Sequence, residues 1–222
     1  MAHSLHLRVR DPGRSIPPTV TRLTGITDEM VSGQSIDPSA VEAFIADANP
    51  VIAHNADFDR RFCERLIPSF AAKPWACSLR EVDWASEGFE SARLSFLAAG
   101  HGRFFDGYRG LHDCEAALDV LSRRLPRTGR TALSVLLESA RRPRWRLRAE
   151  RTAFAARERL KLRGYRWRPG KGVAQGAWCT EVDEQRFEAE CEFLCTEIYL
   201  RPAPPIGSRL LTAYERYSVR SD

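Results

Sequence analysis

The sequence predicts an α/β fold followed by a smaller α+β unit. Three observations carry that expectation. Val51-Ile52-Ala53 is a short, wholly apolar run between Asn49-Pro50 and His54-Asn55, the pattern of a strand buried on both faces. Segments of helical spacing alternate with such runs through the first part of the chain, as in a sheet built with crossover helices. The composition then changes at Pro143. Residues 141–170 carry twelve Arg or Lys and two Glu, a local balance of +10 in a 222-residue chain whose net charge is +5, so the remainder sums to −5. A boundary there gives units 1–142 and 143–222.

Bulk composition excludes whole classes. Charged residues make up 28% and the hydrophobic set 43%, ordinary globular usage rather than that of a disordered tail or a fibre. No run approaches the ~20 apolar residues of a membrane span, so no membrane partner is expected. The start, Met1-Ala-His-Ser-Leu-His-Leu-Arg, lacks the apolar core of a secretory signal. Six irregularly spaced cysteines with no Cys-x-x-Cys read as reduced thiols of a cytoplasmic protein.

The elements follow in order. Residues 4–10 alternate polar and apolar, as a half-buried strand does, and Asp11-Pro12-Gly13 turns the chain out of it. Pro17-Pro18 argues for an extended Ser15–Val20. Asp37-Pro38 opens a helix, Asp as N-cap and Pro in the first turn, with Val41, Phe44, Ile45 and Ala48 on one face. Asn49-Pro50 ends it, and the Val51–Ala53 strand follows. Phe58–Leu66 is helical, Trp75–Ser78 a short strand, and Leu94–Gly100 a helix closed by glycine. Further helices start near His112, running to Pro126, and span Thr131–Ala140.

Beyond the boundary, Trp145–Arg151 is extended, Phe154–Arg163 is helical with Gly164 as C-cap, and Trp178–Val182 is a strand. Asp183 caps a helix with the stripe Phe187, Cys191, Leu194, Cys195 and Ile198. That spacing makes Cys191 and Cys195 core residues rather than metal ligands. No histidine follows His112, which also argues against zinc.

The segment richest in chemistry is Val51-Ile-Ala-His-Asn-Ala-Asp-Phe-Asp59. A strand ends, a polar pair follows, and acids open a helix. Carboxylates just past a strand are well placed for a divalent cation, since Mg²⁺ takes oxygen ligands and keeps several waters. An Asp at a helix start is also an ordinary cap.

His54-Asn-Ala-Asp-Phe-Asp59 resembles the second motif of the DEDD superfamily of 3′–5′ exonucleases, the group of the polymerase III epsilon proofreading subunit. Leu23-Thr-Gly-Ile-Thr-Asp-Glu-Met-Val31, after Ile16-Pro-Pro18, resembles the stretch preceding that motif. Asp106-Gly-Tyr-Arg-Gly-Leu-His-Asp113-Cys-Glu-Ala resembles the third. Lys161-Leu-Arg-Gly-Tyr-Arg-Trp167 and Arg216-Tyr-Ser-Val-Arg220 are similar to an extension found in some bacterial members.

The resemblance implies a ribonuclease-H-like domain in which four carboxylates hold two ions, Mg²⁺ or Mn²⁺, about 3.5–4 Å apart. Asp59 and Asp113 take the positions of the second- and third-motif ligands. His54, Asn55 and Phe58 fall on the second motif and imply contact with the DNA or RNA 3′ end, and the resemblance implies DNA polymerase machinery as a further partner. The chain departs from the family twice. The Asp-x-Glu motif of the first strand is absent, because the match begins where the third strand should lie, and the expectation is an N-terminally shortened form. Tyr108 stands where the family has a histidine base, five residues before Asp113. A phenol, with an ordinary pKa near 10, is a poor base at neutral pH. His112 is adjacent to Asp113, so on a helix it points about 100° away. Two carboxylates balance at most one ion.

Two functions therefore stay open. One is a metal-dependent exonuclease, impaired as the chain stands. The other is a non-catalytic nucleic-acid-binding module, favoured by the missing acids and by Arg144, Arg146 and Arg148 beside Trp145, with Tyr165 and Trp167 further along the basic segment. A protein-interaction module on residues 150–222 is a weaker third.

Overall fold

In a computed structural model, which describes residues 9–100, 102, 110–170 and 176–221, the chain is a mixed α/β protein. It divides into two units, Met1–Ser139 and Ala140–Asp222. Most of the strand expected over residues 4–10 lies outside the described residues. The turn after it is built by Asp11, whose carboxylate accepts from Gly13 N at 2.8 Å and from Gly33 N at 3.1 Å.

Helix α1 (Pro18–Thr24) corrects the expectation of an extended Ser15–Val20. Pro17 is extended, but Pro18 occupies the first helical turn, where a missing N–H breaks no bond and the fixed φ suits a helix. Gly25, at φ +69°, closes α1. Thr27 then caps α2 (Asp28–Val31), an element the sequence reading missed. Asp28 also reaches back, accepting from Ser15 Oγ at 2.6 Å and Ile16 N at 2.7 Å. Helix α3 (Pro38–Ile45) starts as expected, with the Asp37 carboxylate accepting from Ser39 N.

Strand β1 (Val51–Ala53) lies parallel to β2 (Trp75–Cys77), pairing Val51 with Trp75 and Ala53 with Cys77. Every residue of β2 is buried, whereas β1 is only half-buried. This corrects the expectation of burial on both faces. Among the described residues β1 has a hydrogen-bonded neighbour on one edge only. Helix α4 (Ala56–Leu66) provides the crossover between the two strands. Helices α5 (Leu94–Ala99), α6 (Gly110–Ser122) and α7 (Ala132–Arg141) follow. Trp75, Ala76, Leu97, Ala116, Val120 and Leu136 are buried.

The second unit holds a four-stranded antiparallel sheet in the order β4-β5-β3-β6. The strands are β3 (Arg144–Ala149), β4 (Arg166–Arg168), β5 (Ala177–Val182) and β6 (Ile206–Leu211). The sequence reading missed β4 and β6. The first is three residues long, and Gly207 interrupts the alternation of the second. Helix α8 (Arg157–Leu162) follows a 3₁₀ turn at Phe154–Ala156. Helix α9 (Glu184–Phe193) begins where Asp183 accepts from Arg186 N at 3.0 Å. It runs on through a π-helical turn, Leu194–Tyr199.

The core beneath the sheet is Ala149, Leu160, Tyr165, Trp178, Phe193, Leu194 and Ile198. Of the expected stripe, Leu194 and Ile198 are core, while Cys191, Cys195 and Phe187 are half-buried. Phe187 packs on Trp145 at 4.6 Å between ring centroids. The cysteines are free. No helix among the described residues is long and apolar enough to cross a membrane.

Asp37→Ala removes the α3 cap and should cost about 1 kcal/mol. Leu160→Ala, which empties a wholly buried site, should cost about 2–5 kcal/mol. Urea titration followed by circular dichroism checks both.

Candidate active site

The β1-α4 junction sets the site. Strand β1 delivers His54 and Asn55, Asn55 stands at the N-cap position of α4, and Asp57 and Asp59 fall in its first turn. Carboxylates there meet the positive end of the helix. Asp57 is taken up by Arg80, at 2.5 Å. Asp59 is half-buried, and Asp113, in the first turn of α6, lies near enough for its charge to act on it. Burial raises the Asp59 carboxyl above its ordinary value, and the Asp113 charge raises it further. The fold thus brings together the two acids that the sequence reading singled out as ligands.

Arg60, one residue on, fixes α4 against β2. It is wholly buried. Its Nε donates to Glu64 at 2.7 Å, its Nη2 to Ala71 O at 3.4 Å, and its guanidinium lies 5.6 Å from the Trp75 ring centroid. A buried charge is tolerable only with such partners.

His54 plays an internal part. Its Nε2 lies 2.8 Å from Ala92 O and its Nδ1 2.9 Å from Ser78 Oγ. A carbonyl only accepts, so Nε2 carries the proton and Nδ1 accepts from the Ser78 hydroxyl. Burial lowers the His54 pKa, against the opposing pull of the Ala92 carbonyl and the Asp113 charge. Both ring nitrogens are occupied within the protein. His54 therefore braces the site from within.

Asn55 and Phe58 are exposed. Phe58 stacks with Phe62 at 4.7 Å, and the Arg65 guanidinium lies 5.7 Å from the Phe62 centroid. These rings, 57% and 55% exposed, form an apolar step beside Asp59. The sequence reading missed Phe62, though its i, i+4 spacing from Phe58 was a usable signal. It also missed Ser78, Arg80 and Ala92, which reach the site from segments distant in sequence and so have no local signature. Tyr108 lies outside the described residues. His112 is half-buried in the same turn of α6 as Asp113.

Over 141 residues the chain is 30% identical to a protein of Mycobacterium tuberculosis (strain CDC 1551 / Oshkosh) named as a candidate bifunctional exonuclease/endonuclease. The match covers 58% of this chain and 21% of the relative. This chain therefore spans about a fifth of the length of the curated relative it matches. No family model matches. No solved structure matches.

The donor set suits a hard cation. Two carboxylates meeting at helix starts offer the oxygen ligands that Mg²⁺ or Mn²⁺ takes, with waters completing the shell. Among the described residues no group of three or more His, Cys, Asp or Glu could hold a metal ion.

Of the three arginines read as nucleic-acid contacts, Arg146 is 3% exposed and paired with Glu181 at 2.6 Å. Its guanidinium is held at the sheet by that pair. Arg144 and Arg148 are half-buried.

Asp59 binds its proton more tightly in the folded chain than in the unfolded one. Its contribution to stability is full below pH 3.8, its ordinary value, and is lost as pH rises through the raised folded value. Asp59→Asn should therefore raise the urea midpoint at pH 7, with the advantage shrinking as pH falls towards 3.8. His54 acts in the opposite sense, its contribution present above pH 6.5 and lost as pH falls through its lowered folded value. Asp113→Asn should lower the Asp59 pKa, read by NMR of the carboxyl carbon.

Proposed function

We propose that this chain is a metal-dependent nuclease of the ribonuclease-H-like DEDD type, acting on the 3′ end of DNA or RNA. The observation that carries the reading is the meeting of Asp59 and Asp113, brought from separate helices until each feels the other's charge. Mutual repulsion between half-buried carboxylates weakens a fold and makes sense where a cation occupies the gap. The exonuclease/endonuclease name of the mycobacterial relative supports the same reading.

In this site Asp59 and Asp113 would hold Mg²⁺ or Mn²⁺. The ion supplies charge neutralisation at the scissile phosphate and acidifies a bound water. The chain's own residues supply the frame. Arg60 fixes α4, and His54 ties β1 to the Ser78 and Ala92 segments. Phe58 and Phe62 offer ring faces on which a terminal base can stack, and Arg65 adds a positive charge beside them.

A second reading is a nucleic-acid-binding module without turnover. The pair of carboxylates, fewer than the four that the family's two-ion chemistry takes, favours it.

The test is Mg²⁺- or Mn²⁺-dependent release of mononucleotides from a 3′-labelled oligonucleotide. Asp59→Ala and Asp113→Ala should each lower the rate by about 100-fold or more, since even residues behind the ligands cost 10–100-fold. Chelator should abolish release. Release that survives both substitutions would sink the nuclease reading. No release from the parent chain, together with retained binding, would establish the second.

A further inference from the structure

The antiparallel register of the second unit sorts its side chains by face. Residues paired across antiparallel strands share a face, and neighbours along a strand alternate. Trp145, Leu147 and Ala149 of β3 share one face with Trp178 and Val182 of β5. On that side Ala149 and Trp178 join the core formed with Leu160 of α8 and with Phe193 and Leu194.

The opposite face collects Arg144, Arg146 and Arg148 of β3, Arg209 of β6, and Arg166 and Arg168 of β4. Between them the strands place the small residues Ala177, Cys179 and Gly207, with the buried Leu211 opposite Arg144. Gly207 sits where a Cβ would lie 3.4 Å from that of Arg148. Glu181 pairs with Arg146 at 2.6 Å, and Glu150 lies 3.5 Å from Arg148.

Two features make the face a receptor for anions. Arg146 stands directly opposite Arg209 in register, and like charges so placed repel. Glu181 answers Arg146 from the β5 side, while Arg209 is exposed on the β6 side, its charge felt by Glu215. Arg144, Arg146 and Arg148 recur along β3 about every 6.8 Å, Arg209 lies one strand away at about 4.8 Å, and the β4 pair lies two strands away at about 9.6 Å, beyond an arginine-free β5. The interval along β3 is comparable to the separation of successive phosphates along a nucleic-acid strand. A row of guanidiniums so spaced suits a repeating phosphate better than a single anion.

We propose that this arginine-lined sheet face binds the phosphodiester backbone of nucleic acid, as a site separate from the Asp59–Asp113 pair. The choice of nucleic acid over another polyanion rests on the nuclease reading, whereas the basic face itself does not. The site reads charge and spacing rather than base sequence. It needs no divalent cation.

The test uses the full chain in chelator, with a fluorescein-labelled single-stranded DNA oligonucleotide read by anisotropy from about 50 to 200 mM salt. Arg166→Ala combined with Arg209→Ala, both exposed positions, should weaken binding roughly tenfold at the low-salt end. The slope of log affinity against log salt should fall by about 0.7 for each arginine removed. The charge-preserving pair Arg166→Lys and Arg209→Lys should keep most of the binding. Arg157→Ala with Lys161→Ala removes the same charge from α8, on the other side of the sheet, and should leave binding within about twofold.

An unchanged slope in the first pair overturns the proposal. So does an equal loss in the α8 pair, which would show diffuse attraction to net charge. Binding to phosphatidylserine vesicles but not to the oligonucleotide would assign the face to a lipid surface and overturn it too. Because cleavage is silent in chelator, these outcomes are independent of whether the first unit releases nucleotides.

Discussion

The buried Arg60 guanidinium is the contact on which the first unit's chemistry depends. It lies over Trp75 in β2, bonds Glu64 in its own helix, and reaches the Ala71 carbonyl. Helix, strand and connecting turn are thereby held in one arrangement. Asp59 is the preceding residue, so the position of its carboxylate relative to α6 follows from where Arg60 is held. A helix anchored only by apolar contacts could slide or rotate, and Asp59 would turn away from Asp113. A charged anchor has discrete partners and permits one register.

The local grammar of the sequence was legible where a side chain bonds its own backbone. Asp37, Asp183 and Asp11 form the cap, cap and turn that their positions imply. The pairing of Asp59 with Asp113 was legible only through family resemblance, because nothing local links a residue of α4 to one of α6. Other features needed the third dimension. Pro17-Pro18 read as a helix breaker because proline blocks a helix interior, yet Pro18 sits in the first turn, where that rule is silent. His54 read as a contact for substrate because it falls on the motif that resembles the family's second. Its two partners, Ser78 and Ala92, come from distant segments. Arg146 read as a nucleic-acid contact because it lies in a basic segment interleaved with aromatic residues. The neighbouring strand supplies Glu181, and alternation along one strand cannot reveal its neighbour.

The two units divide electrostatic labour. In the first, carboxylates crowd together at helix starts, an arrangement that asks for a cation. In the second, guanidiniums gather on one sheet face, an arrangement that asks for an anion. A phosphodiester with its metal counterion answers both requirements. The basic excess noted in the linear sequence becomes sharper in the fold, since strand alternation sends the β3 arginines to one side and Trp145 and Leu147 to the other. Arg209 adds to that face from outside the basic run.

The acids around the site also govern its sulfur chemistry. Cys63 is pushed up to about 11, by burial first and then by the charges of Asp59 and Glu64. Cys114 is raised as well, by burial and then by Asp113 and Asp59. Thiolate, the form that oxidants and alkylating agents attack, is therefore scarce at both positions at neutral pH. Two cysteines stand beside the carboxylates, one of them exposed, yet neither is an activated nucleophile. Burial first, and then the negative field that would draw a cation, keeps these sulfurs chemically quiet, so oxidative stress should reach the site's thiols slowly.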